Sequence, residues 1–248
     1  MFTGNWSGIP MILINLILGL TVFTFSFVIA SRIDKKFAPH IIIGLTVGIL
    51  MAIISMNSKI VAINLNGYTF PLVLSSFFFP VLALSMDTLN EHYGVKSARA
   101  LLYCSVITQF MMWALLFWFA AIPSLTPEMQ NTFINNFTLA WRGFFASIVA
   151  YGVGQLSDIF VFSYLRKKAK GKLLWLRIVG STAVGLVLDV VIYTSIVFIG
   201  VISFSVIIQM MFISTTVRLT LSLLQIPYMY LLKWLRKKKI FLVDDEIC

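Results

Sequence analysis

Seven runs of roughly 17 to 25 apolar residues follow one another along this chain, at about 9–30, 40–56, 68–88, 100–122, 141–164, 178–200 and 203–232. Each is long enough to cross a hydrocarbon layer about 30 Å thick, and a backbone in lipid must satisfy its own hydrogen bonds, so each is read as a helix. The predicted fold class is therefore all-α, a polytopic membrane helix bundle of about seven transmembrane helices, six being the alternative. The composition agrees, with 60% hydrophobic residues, 11% charged and a mean hydropathy of +0.96 in a chain of 248 residues. The spans are punctuated at Asp34 to Pro39, Asn57 to Gly67, Asn90 to Lys96, Pro123 to Asn136, Arg166 to Lys172 and a tight turn near Gly200. The longest gap, Pro123 to Ala140, has room for a short interfacial helix or loop, which leaves a single membrane domain over residues 1–248.

A net charge of +10 and a pI near 9.8 suggest nucleic acid at first sight, but the cations cluster between the apolar spans. Arg32, Lys35 and Lys36 follow span one, and Lys96 and Arg99 follow span three. Arg166, Lys167, Lys168, Lys170, Lys172 and Arg177 follow span five, and Lys233, Arg236, Lys237, Lys238 and Lys239 follow span seven. Sixteen of the 19 basic residues thus come after odd-numbered spans. Cytoplasmic loops are enriched in Lys and Arg, so the expected orientation is an outside N-terminus and a cytoplasmic C-terminus in the inner membrane. The first run lacks the basic start of a cleaved signal and is expected to remain. Cys104 and Cys248 have no partner spacing and are assigned no role, no metal set is apparent, and Gly171-Lys172 does not continue into a phosphate loop.

Three acids stand in or at the edge of these spans, where a carboxylate costs at least about 2.5 kcal/mol and normally faces a bundle interior or a wet path. Two end similar stripes stepping by four: Ala146, Ala150, Gly154, Asp158 and Ser181, Gly185, Asp189. Each stripe puts small residues and an acid on one helix face, which allows close helix approach. Gln155 lies one turn from Asp158, and together they offer two donors and several acceptors to a ligand. Asp158 can instead answer Arg166 or Lys167, although eight residues of helix, about 12 Å, make that pairing difficult. Asp189 sits near mid-membrane, where proton coupling is physically available to it. Arg218, in the last span, needs a counterion at that depth, with Asp158 and Asp189 as the candidates.

Span three ends in Asp87, Asn90, Glu91 and Gly94 at helical spacing, a face with three polar side chains. Glu91 and His92 also fit a helix end entering water. Arg142 is placed to snorkel, the tryptophans to form interfacial belts, and the Gly44/Gly48 pair to mark helix packing.

The run Asp87-Thr88-Leu89-Asn90-Glu91-His92-Tyr93-Gly94, preceded by Phe70-Pro71 and followed by Ala98-Arg99, resembles the signature of the queuosine precursor transporters, also called the vitamin uptake transporter family. Further matches occur in order: Ala150-Tyr151 to Gly154-Gln155-Leu156 and Asp158, Leu165-Arg166, Trp175-Leu176-Arg177, Ser181-Thr182 with Asp189, and Arg218 before Pro227 and Tyr230. The similarity covers about residues 68–232. Two departures, His92 at a usually apolar place and Arg218 at a common Lys, bear on ligand preference. The resemblance implies a non-enzymatic importer of a 7-deazaguanine-type base, a small nucleobase-like molecule used in transfer RNA modification, with no cofactor and no direct nucleic-acid partner. A homo-oligomer stays open. The implied substrate site is Asp87, Asn90, Glu91, Gln155, Asp158, Ser181, Asp189 and Arg218, the acids serving as base ligands or proton carriers and Arg218 as charge partner. Rival readings are a substrate-capture subunit of an ATP-driven vitamin importer and an intramembrane enzyme; for the latter no nucleophile set stands out.

Overall fold

The computed structural model describes residues 8–33, 37–55, 60–65, 68–73, 78–170, 172–201, 203–238 and 240. Lys35, Lys36, Lys239, Cys248 and much of the expected break from Asn57 to Gly67 lie outside the described residues. Among the described residues seven helices form a bundle: α1 (Gly8–Ile33), α2 (Ala38–Ser55), α3 (Phe79–Ala121), α4 (Pro127–Lys168), α5 (Leu174–Phe198), α6 (Phe204–Ser222) and α7 (Gln225–Lys237). Five stretches are long and apolar enough to cross a membrane, with Ala38–Ile54 as a shorter apolar helix. The chain is a multi-pass membrane protein. Its inward faces follow helical spacing, as in Leu16, Leu20, Phe23 and Phe27 of α1, while Ile14, Leu18, Phe25 and Ile29 of the same helix point outward as a lipid-facing surface.

Three boundaries differ from the sequence reading. The run at 68–88 is only half helical, because Tyr68–Val73 is a strand, β2, paired antiparallel with β1 (Ile60–Leu65). Apolar length alone does not separate strand from helix; Pro71 and the flanking β-branched and aromatic residues disfavour the helix here. The gap after Pro123 is largely helix, since α4 starts at Pro127 behind a Thr126 cap whose side chain accepts from the Met129 N–H. At 42 residues, about 63 Å, α4 exceeds the hydrocarbon thickness. The run 203–232 is split by a turn at Leu223 and Leu224 into α6 and α7.

The element that organises the bundle is α3, whose helical backbone breaks at Gly94 with φ 82° and ψ 175°. Glycine reaches that region without steric cost. The halves on either side of it run in opposite directions. Phe79 lines the same cavity as Ser147 and Tyr151, Asn90 reaches Ile159 and Ser163, and Trp113 stacks back on Phe144 with ring centroids 4.6 Å apart. The expected third and fourth spans are therefore two limbs of one helical hairpin, and residues 80–93 are buried on every face. Such a limb is screened from lipid all round, which is why it tolerates Asp87, Asn90, Glu91 and His92.

The pairing of α4 with α5 is the most extensive helix contact. It is centred on two glycines: a Cβ at Gly154 would lie 2.8 Å from the Gly185 carbonyl oxygen, and one at Gly185 would lie 2.7 Å from that of Gly154. The two expected stripes are thus the two sides of one crossing. Gly44 and Gly48, by contrast, meet nothing within 4 Å and face outward, so they do not mark a helix contact among the described residues.

Candidate functional site

The α4–α5 crossing separates the sequence-predicted site residues, because antiparallel helices joined at facing glycines carry Asp158 and Asp189 to opposite sides of the contact. Asp158 Cβ lies beside Gly185, and Asp189 Cβ beside Gly154. What reads in sequence as one set of acids is spatially three groups.

The first group surrounds a cavity of about 90 Å³ at the end of the bundle where α3 begins. Asp189 and Arg218 line it with Phe79, Ser147, Tyr151 and Tyr193, and Leu50, Ile53 and Ile54 of α2 close one wall. Arg218 Nη1 donates to Asp189 Oδ2 at 2.8 Å, so Asp189 is the counterion that Arg218 requires. Each side chain keeps 18% of its surface accessible. The guanidinium also stands 5.7 Å from the Phe79 ring centroid, a cation–π distance. A carboxylate, a guanidinium and aromatic rings around one void present acceptor, donor and stacking surface together.

The second group is an ion node at the other end of the first limb of α3, twelve residues or about 18 Å along. Glu91 receives Arg177 Nη1 at 2.6 Å and Nη2 at 3.1 Å, a bidentate pair in which Arg177 is fully buried. Arg166 and Lys233 approach the same carboxylate to 3.8 and 3.7 Å. Cations from α4, α5 and α7 thus converge on one acid of α3. Arg177 further packs over Phe162. Asn90 is absorbed in the same joint: its amide donates to the Ile159 carbonyl, its oxygen accepts from Ser163, and its backbone carbonyl accepts from Arg166. Glu91 and His92 do not enter water, as a helix end would; both are buried. Nor does Asp158 answer Arg166, which reaches Glu91 and the Asn90 carbonyl instead.

The third group lies between these two and is made of acceptors. Asp87 and Asp158 are both buried on either side of the contact that Asn90 makes with Ile159, and Asp158 lies against Gly185, one turn from Ser181 on α5. Asp87 Oδ2, Asp158 Oδ1, Gln155 Oε1 and Gln225 Oε1 are all buried with no hydrogen-bond partner among the described residues. Gln225 is held at the start of α7 by its bond to Thr182 Oγ1 at 3.4 Å, and Met229, one turn on, accepts from Thr88 at 3.3 Å. Buried acceptors left unmet cost about 1–3 kcal/mol each, which makes these four oxygens candidates for a group that supplies positive charge or donors.

Sequence reasoning missed Tyr151, Tyr193, Ser147 and Phe79 of the cavity and counted Arg177 only as a topology charge. Tyr193 had a signal, being one turn from Asp189 on the same face. Arg142 does more than snorkel: it donates to the carbonyls of Ile196 and Ile199 at 2.7 and 2.8 Å, closing the C-terminus of α5 where Gly200 adopts φ 80°.

Most residues of the three groups fall inside a single family match, with Lys233 and the α2 wall of the cavity outside it: the model described as "Putative vitamin uptake transporter" covers residues 73–232. The chain belongs to this vitamin uptake transporter family. It is 28% identical over 214 residues to the "Probable queuosine precursor transporter" of Bacillus subtilis (strain 168), an alignment spanning 84% of this chain and 90% of the relative. No solved structure matches the chain. The match to the transporter family begins at Val73, so it includes α3 to α7 and leaves α1 and α2, which supply part of the lipid-facing wall, outside it.

Proposed function

We propose that this transporter imports a queuosine precursor of the 7-deazaguanine type and that the base binds in the cavity at Asp189 and Arg218. The carrying observation is the chemistry of that void. A guanine-like edge presents a carbonyl oxygen next to a ring N–H and an exocyclic amino group. Arg218 can donate to the carbonyl while Asp189, which holds Arg218 through Oδ2, accepts from the neighbouring donors through Oδ1. Tyr151, Tyr193 and Phe79 give a planar base surfaces to stack on. The name of the Bacillus subtilis relative supports the same substrate class.

The charge distribution supports an orientation consistent with import. Positive-inside placement puts the ion node, with Arg166, Lys167, Lys168 and Lys233 around it, at the cytoplasmic side and the cavity at the outer side. In this conformation the outer cavity is formed and the inner end is held shut by Glu91. Release of the base to the inside then requires the contacts of α4, α5 and α7 on Glu91 to part, the two-state behaviour of an alternating-access carrier.

Proteoliposomes containing the purified protein should accumulate a labelled 7-deazaguanine base above empty vesicles, and xanthine, which replaces the amino donor by an acceptor, should compete poorly. Asp189→Asn should weaken the apparent affinity for the base roughly ten- to a hundredfold, the loss of one charge-assisted contact of about 1.5–3 kcal/mol. Equal competition by xanthine, or uptake no greater than into empty vesicles, refutes the assignment.

A further inference from the structure

We infer that the acceptor cluster between α3, α4, α5 and α7 is a second site, distinct from the base cavity, that binds a monovalent cation of the sodium type. Its ligands are Asp87 and Asp158, with the Gln225 and Gln155 side-chain oxygens and the Ser181 hydroxyl completing an all-oxygen shell. Oxygen donors of this kind suit hard cations.

Four separate observations converge on it. Two buried carboxylates, Asp87 of α3 and Asp158 of α4, flank the contact in which Asn90 donates to the Ile159 carbonyl, and Arg218 pairs with Asp189 instead. The nearest buried cation, Arg177, is taken up in a bidentate pair with Glu91 one turn further along α3. The Gln225 side chain is fully buried, and its amide nitrogen is fixed on Thr182, next to Ser181, so its unpartnered oxygen is confined to the same junction. Met229, one turn along α7, is pinned by Thr88, the neighbour of Asp87, which holds the start of α7 against this limb of α3.

Alternatives account for less. One proton shared between Asp87 and Asp158 would join the carboxylates and still leave both amide oxygens unmet. A calcium ion takes six to eight oxygens, commonly with several carboxylates, and no group of three or more acidic, histidine or cysteine side chains suited to a metal occurs among the described residues. A planar base does not suit the junction, because α4 and α5 are at their closest here: any Cβ at Gly185 would fall 2.9 Å from Asp158 Cβ. A small ion needs no such width. Placed between the outer cavity and the inner node, one turn from Glu91, it offsets the buried carboxylates of α3 and α4 and so favours the packed arrangement of the limb that carries Glu91. Its binding stands independently of the substrate; only its role as coupling ion rests on the import reading.

The test uses the full-length purified protein in detergent with no base present, heated in sodium, potassium or choline chloride at equal ionic strength. Sodium should raise the Tm above choline with saturation, because a ligand of the native state alone stabilises it. Asp158→Asn and Gln225→Leu should each raise the half-saturating sodium concentration at least about tenfold, while Glu128→Gln, an acid at the far end of α4, should leave it unchanged. Should either variant fail to fold, retention of radioactive sodium by the native protein, displaced by excess unlabelled sodium and not by choline, decides the matter. Equal Tm in all three salts, no retained sodium, or unchanged half-saturation in both variants overturns the site. Sodium binding without base uptake would instead refute the import reading and leave the site standing.

Discussion

Replacing Gly185 by alanine should injure this transporter far more than the same change at glycines elsewhere in its membrane helices. The added Cβ would sit 2.7 Å from the Gly154 carbonyl oxygen and 2.9 Å from Asp158 Cβ, against an ordinary contact of 3.4 Å or more. Both obstacles are backbone or next to it, so no side chain can rotate away, and the helices must separate by about 0.7 Å. Overpacking of this kind costs roughly 1–3 kcal/mol, offset by at most about 1 kcal/mol from alanine's better helix propensity. The net loss expected is then up to about 2 kcal/mol, and Gly154→Ala, blocked by the Gly185 carbonyl at 2.8 Å and Asp189 Cβ at 3.1 Å, should fall close to it. Gly44, Gly48 and Gly152 meet nothing within 4 Å, so alanine there is the internal control and should be neutral or slightly stabilising. Thermal unfolding in detergent gives the stability ranking and uptake by proteoliposomes the functional one. Because the crossing carries both Asp158 and Asp189, uptake should drop even where the variants remain folded. If Gly185→Ala matches Gly152→Ala in both assays, the close crossing is not what holds the two acids in place.

Arg177→Met should destabilise the protein strongly, about 3–5 kcal/mol if Glu91 is left buried without its bidentate partner, with Arg166 and Lys233 recovering part of it from the rim; the double variant Glu91→Gln with Arg177→Met should be milder than either single one, and unfolding curves for the three decide it. A reporter joined after Gly171 should behave as cytoplasmic and one joined near Gln130 as external, since the cations gather after Arg166; the reverse pattern removes the orientation on which the import direction depends.

How much of this was legible beforehand depends on the range of the interaction. Long apolar runs and charge asymmetry are local and cumulative, so the all-α class, the polytopic membrane bundle and the clustering of basic residues could be read directly, whereas the count of seven spans meets five long apolar helices among the described residues. The hairpin of Ile60–Leu65 and Tyr68–Val73 could not, because its apolar residues satisfy the same length criterion as a helix and only pairing between strands decides. The stripes of small residues were legible as packing faces, since a period of four is a property of one helix. That they pack on each other is not, and this is what divides the acids: in an antiparallel crossing, equal steps from facing glycines lead in opposite directions.

The same geometry explains why one predicted site becomes three groups. Asp87, Asn90 and Glu91 share one face of a short limb, yet burial on all sides gives each a different neighbour. Glu91 meets cations from three helices, Asn90 meets the backbone and Ser163 of α4, and Asp87 keeps a buried oxygen with no hydrogen-bond partner among the described residues. In lipid the hydrophobic effect does little to choose among helix arrangements, so polar contacts and close approach of small residues carry the specificity of the bundle. Residues that look like ligands in sequence are therefore partly fasteners. Glu91 and Asn90 are fasteners by their contacts, whereas Asp87, Asp158, Gln155 and Gln225 retain buried oxygens that no described residue satisfies. That unspent acceptor capacity, rather than the mere presence of a carboxylate in a span, is the physical ground on which we propose these residues, and not Glu91 or Asn90, as binding groups.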